Sequence, residues 1–225
     1  MSQSEGWLHL EEHVMKGQGS RSLFLAALVV GSPLGLATLE LFHPRPHDLM
    51  HLDTGVWLTV HYLQIPLFPL AALAVCLLVR GRSGPLTRLI WGAMFVFAVS
   101  FTAFDTAAGV VTGLLVRAAQ KQEVFESWQP AIMTVWRDPI VGGAPGTSPV
   151  LAVLGSIAWS VGLVGFALYV WRTKRSWILA LLLIVSAFGL SVFKTHAWPG
   201  GPVSFGTLAI AAASLEWKEL RGARI

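Results

Sequence analysis

The sequence predicts an all-α fold: a polytopic membrane helical bundle of six transmembrane helices with both termini cytoplasmic. Three observations carry this. Charged residues make up 12% of the 225 and hydrophobic ones 54%, against about 25% charged in an average soluble domain. Apolar runs near the length that crosses a hydrocarbon core, about 20 residues, recur along the chain. The basic residues sit between those runs and favour alternate connections, as orientation signals do. This composition excludes a disordered chain. With the single cysteine Cys76 it also excludes a disulfide scaffold. The net charge of +4 is spread as topology signals and not gathered on one basic face, so no nucleic-acid partner is expected.

Residues 1–21 mix acids, bases and two histidines, His9 and His13, and lack the apolar core of a cleavable leader. They read as a cytoplasmic segment, and the run that follows as a retained anchor. The transmembrane domain covers 22–217, with spans predicted at 22–42, 52–79, 86–117, 149–171, 176–196 and 203–217. The last is short and draws on 199–202. Residues 218–225 form a basic cytoplasmic tail. With the N-terminus inside, eleven lysines and arginines lie on the cytoplasmic side. Five lie outside (Arg45, Arg117, Lys121, Arg137 and Lys194), which together account for all 16. If the sixth segment did not cross, the basic tail would fall on the wrong side. The inner turns at 80–85 and 172–175 are short, so their flanking helices are antiparallel neighbours. The longest outer connection, 118–148, spaces Val124, Phe125, Trp128, Ile132, Val135 and Trp136 as a helix lying in the interface would, and then loosens at 142–146. Richness in Ala, Leu, Gly and Arg suggests a bacterial inner membrane as the location.

The polar residues that remain cluster on one side. His43, His47, His51, His61 and His196 all fall in the outer half or just beyond it, with Glu40, Asp48, Asp53, Asp105 and Lys194 around them. His43, His47 and His51 are four apart, but Pro44 and Pro46 forbid one helix through all three. A helix capped by Asp48 would put only His47 and His51 on one face. On the second span, Asp53, Trp57, His61 and Gln64 fall within an arc of roughly 80° and should face the bundle. His61 then lies about 12 Å below Asp53 along the axis. Pro66 and Pro69 follow and are expected to bend the helix below that stripe. Asp105 sits mid-span, where an acid costs about 2.5–3.5 kcal/mol on insertion scales, so a compensating partner or a function is expected. Its depth of about 16 Å allows a contact with His61. His196 and Lys194 close the fifth span at the same surface.

These residues define the expected site. Asp105, His61, Asp53 and Gln64 are the catalytic candidates, and His51, His61, Asp105 and His196 the candidate ligands of zinc or another divalent metal. The favoured reading is an intramembrane enzyme that acts on a lipid or isoprenoid-type substrate by metal-assisted or acid–base chemistry. Its partners would be membrane lipids, a hydrophobic small-molecule substrate and a second copy of the chain. One alternative is a small proton-coupled transporter or channel using Asp105 and His61 as a relay. Another is a haem- or quinone-binding membrane protein with axial histidines such as His61 and His196. The sequence contains no phosphate-loop, His-Glu-x-x-His, Cys-x-x-Cys or Gly-x-Ser-x-Gly motif.

Overall fold

The computed structural model describes residues 23–46, 48–123, 125–173 and 176–222. The readings of residues 1–21, the basic end of the tail and His47 lie outside them. The described residues form helices and turns with no strand. In chain order the helices are α1 (Leu23–Leu41), α2 (Thr54–Leu78), α3 (Pro85–Asp105), α4 (Thr112–Gln122), α5 (Phe125–Trp136), α6 (Val150–Arg172), α7 (Trp177–Phe193) and α8 (Gly200–Gly222). A π-helical segment, Thr106–Val111, fuses α3 to α4.

Among the described residues, four helical stretches are long and apolar enough to cross a membrane: α1, α2, the continuous α3–α4 rod and α6. α7 is equally apolar but 17 residues long. Helix α8 starts with Pro202 in its first turn, where a missing N–H costs nothing, and runs into the charged segment after Leu215. The exterior supports a multi-pass membrane protein. Phe95, Val99, Ile157, Leu181, Val192 and Ile210 are each more than half exposed on the outside of the bundle, a surface that water would disfavour.

Helices α1, α2, α3, α6, α7 and α8 pack in that order as a ring. Apolar burial drives little association between helices in lipid, so close packing and interhelical hydrogen bonds must carry it. Ser32 Oγ on α1 donates to the Leu70 carbonyl of α2. Trp159 Nε1 and Ser160 Oγ on α6 donate to the Ser186 and Ala187 carbonyls of α7, and Ser186 Oγ donates to Ser204 O of α8. Inside the ring, Phe68, Phe97, Phe101, Trp159 and Phe205 interlock by edge and tilted contacts and are almost wholly buried.

Several boundaries differ from the sequence-based expectation, and the last helix, predicted at 203–217, runs from Gly200 to Gly222. The third span does not stop at residue 117. It continues to Gln122, and on its last turns the Gln120 side chain donates to the Met50 and Leu52 carbonyls. At 1.5 Å per residue the 38-residue α3–α4 rod is about 57 Å long, well beyond a hydrocarbon core of about 30 Å. The chain reverses at Glu123, in the left-handed conformation, and α5 returns along α4 until Trp136 meets Trp57. The helix expected at Asp48 is a single 3-10 turn, Leu49–His51. Asp53 then caps α2 by accepting from the Gly55 and Val56 amides. α7 ends at Phe193, three residues early, because Lys194 adopts φ 52° and breaks the helix. The turn that follows carries His196.

Candidate metal centre

The site lies at one end of the ring, where α1, α3 and α7 end and α2, α6 and α8 begin. Glu40, in the last turn of α1, is fully buried. Its Oε1 accepts a 2.7 Å hydrogen bond from Gln64 Nε2 on α2, while its Oε2 has no partner. The start of α8 pins its stem: a Cβ on Gly201 would strike the His196 carbonyl and lie 2.6 Å from Glu40 Cγ.

His43 follows α1 by two residues. Its Nδ1 donates to the Pro44 carbonyl at 2.9 Å, which fixes the tautomer and leaves Nε2 as a bare acceptor. Burial pushes the His43 imidazole down to about 4, against the opposing effect of the Pro44 bond, so it is neutral at ordinary pH. Its Nε2 stands 3.2 Å from His196 Nε2. The edges of Phe68, Phe101 and Phe104 surround the His196 ring. Glu40, His43 and His196 each offer one ligand atom, and the three atoms lie within 4.8 Å of one another.

A second pair adjoins the first. His61 Nδ1 donates to the Trp57 carbonyl at 2.7 Å, so its Nε2 is also a bare acceptor, 3.8 Å from Asp105 Oδ1. The His61 and His43 rings are 4.9 Å apart between centroids. Both Asp105 oxygens are buried without a hydrogen-bond partner. The backbone opposite makes room for His61. A Cβ on Gly109 in the π segment would collide with the imidazole, and the Gly109 carbonyl accepts 2.7 Å from Trp57 Nε1. Interruptions of this kind in α-helices are frequent at functional sites.

The residues expected from sequence separate into two groups. His61, Asp105 and His196 line one cavity of about 570 Å³, together with His43. Gln64 lies behind it, holding Glu40. Asp53 is an exposed helix cap. His51 projects outward with its side chain 82% exposed and pairs with Asp48 at 2.7 Å. The Asp48 carboxyl is held below its usual range, chiefly by the Met50 amide and then by His51. Sequence reasoning placed Glu40 and His43 only among the surrounding polar groups. Their signal was present: an acid three residues before a histidine at the end of an apolar run, with Gln64 on the facing stripe.

Chemically, the cluster is rich in acceptors and poor in donors. Glu40 Oε2 and both Asp105 oxygens lack hydrogen-bond partners, the His43 and His196 Nε2 atoms share a single hydrogen bond, and among the described residues Gln64 supplies the one hydrogen bond to a carboxylate of the cluster. Buried acceptors without donors are costly unless a proton or a cation joins them. Two imidazole nitrogens bound to one tetrahedral zinc at about 2.0–2.1 Å would stand about 3.3 Å apart, close to the 3.2 Å between His43 and His196. Each histidine with a fixed tautomer has the Nδ1–H to carbonyl bond that orients metal-ligating imidazoles. The fold and site thus define an all-helical protein with membrane-crossing helices and a buried His/Glu cluster. No protein-family model, curated protein or solved structure matches the chain.

Proposed function

We propose that this is a multi-pass protein of the cell membrane with six spans and both termini on its basic, cytoplasmic side. We further propose that it is an intramembrane enzyme whose Glu40, His43 and His196 hold a divalent metal, zinc being the best fit. The observation that carries this reading is the convergence of a Glu40 carboxylate oxygen with the His43 and His196 ring nitrogens within 4.8 Å, beside a buried Glu40 Oε2 that has no hydrogen-bond partner. Three protein ligands would leave a coordination position for water, as in catalytic zinc sites, and a bound metal would supply a water acidic enough to lose a proton near neutral pH. His61 Nε2, 3.8 Å from Asp105 Oδ1, would hold that proton as an imidazolium stabilised by Asp105. The reaction would be hydrolysis of a lipid or isoprenoid-type substrate, in which the bond from its electrophilic centre to the leaving group breaks and His61 would return the proton to that group.

A relay across the membrane is the less favoured reading. Below the level of Gln64 and Asp105 the bundle is filled by Phe68, Phe97, Phe101, Trp159 and Phe205, and no further chain of buried ionisable groups continues there among the described residues. Elemental analysis of protein purified without chelator tests the proposal. About one transition-metal ion per chain is expected in the wild type. It should be lost in Glu40→Gln and His196→Ala and kept in His51→Ala, Asp105→Asn and His61→Ala. Folded wild type free of metal after zinc loading would sink the proposal.

A further inference from the structure

The cavity is not walled only by the polar cluster. Away from the histidines it runs past Phe101 of α3 to Val153 and Ile157 of α6 and Leu190 of α7. Val153 is 41% and Ile157 54% exposed, so this wall continues onto the outer, lipid-type surface of the bundle. One end of the cavity is therefore buried and polar, and the other is apolar and opens sideways beside α6. At the rim stand two cations, Arg45 and Lys194. They belong to the five basic residues at this end of the bundle, and Arg117, Lys121 and Arg137 do not line the cavity. Neither Arg45 nor Lys194 has an ion-pair partner among the described residues. Lys194 is held at the rim by a left-handed φ of 52°, a conformation a lysine rarely adopts. The volume, about 570 Å³, lies in the range of small-molecule sites, about 300–1,000 Å³.

We infer that the cavity binds a single-chain amphiphile with an anionic head group. The head sits between Arg45, Lys194 and the histidine cluster, and the chain leaves along Phe101, Val153, Ile157 and Leu190 into the surrounding lipid. This names the substrate class of the proposed enzyme and rests on that reading for the chemistry at the head, though not for the seat itself. The polarity of the pocket sets the order of parts. An acyl chain gains nothing against the acceptor cluster, and an anionic head gains nothing against Ile157. Glu40 and Asp105 would repel the head unless a cation neutralised them, so metal and amphiphile should bind with positive coupling.

Native mass spectrometry of the full chain in a neutral maltoside detergent tests this, with zinc-loaded and chelator-treated samples side by side. The probes are dodecyl phosphate, dodecylphosphocholine and inorganic phosphate. One dodecyl phosphate per chain is expected in zinc-loaded protein, with at least tenfold preference over dodecylphosphocholine. Arg45→Ala with Lys194→Ala should remove that preference, and Ile157→Trp should lower occupancy by dodecyl phosphate at least tenfold, both with unchanged metal content. Equal occupancy by the two amphiphiles would overturn the inference, and so would full occupancy in Ile157→Trp. Inorganic phosphate displacing dodecyl phosphate at equal concentration would show a free-phosphate site and overturn the chain's role. Selective, variant-sensitive binding by protein that takes up no zinc would uphold the amphiphile seat and sink the metal centre.

Discussion

At the scale of single residues, the protein concentrates its costly polar groups at one end of an apolar bundle and leaves several without donors. Asp105, His61 and His196 were legible in the sequence because an ionisable group in an apolar run stands out against its neighbours. Glu40 and His43 were harder to rank, since a polar residue at the end of a span is ordinarily a boundary marker. Only the packing of α1 against α2 and α8 shows that Glu40 is buried. Gln64 is its one hydrogen-bond partner among the described residues, so Gln64→Leu should free the carboxylate, lower zinc affinity by tenfold or more and leave the helical circular dichroism intact. Zinc titration against a competing chelator measures this, and unchanged affinity would show that Gln64 does not orient the ligand. Gly109 is a second sensitive point. Gly109→Ala places a methyl inside the His61 ring, and overpacking of this kind costs about 1–3 kcal/mol, which thermal unfolding in detergent would reveal. A Tm equal to wild type would mean that the π segment yields freely.

At the scale of elements, hydropathy located every long helix of the ring but missed where three of them end. The polar contacts of Gln120 with the 3-10 turn extend α4 beyond the predicted span, and such long-range bonds leave no periodic trace. The π segment was equally hidden, because Thr106–Val111 reads as ordinary small-residue helix. It is fixed in place by Trp57, whose indole donates to the Gly109 carbonyl. Trp57→Phe keeps most of the packing and removes one of two donors to that carbonyl, the other being the Thr112 amide, at about 0.5–1.5 kcal/mol. The loss should be concentrated at the cavity, so amide exchange in 106–113 should accelerate more than in α6. Uniform acceleration through the bundle would contradict a local role for the bond.

At the scale of the whole molecule, the arrangement is a ring of helices with an aromatic interior, a basic end near Arg80, Arg82 and Arg172, and a histidine end. Alternation of helix direction places those ends on opposite faces, as the charge bias of the sequence also requires. His51→Cys and Arg82→Cys should therefore react with a membrane-impermeant thiol reagent from opposite sides of sealed vesicles. The native Cys76 is buried and gives little background. Labelling of both from one side would overturn the proposed membrane arrangement and with it the proposed outward placement of the site. The central claim, that the histidine end is a metal centre built from α1, its trailing loop and the α7–α8 turn, is tested most directly by X-ray absorption at the zinc edge. The account predicts one bound zinc in a four-coordinate nitrogen and oxygen shell near 2.0 Å, with the outer-shell scattering of two imidazoles, and loss of that scattering in the His43→Ala, His196→Ala double variant. A wild-type spectrum without imidazole scattering, or one unchanged in the double variant, would contradict it.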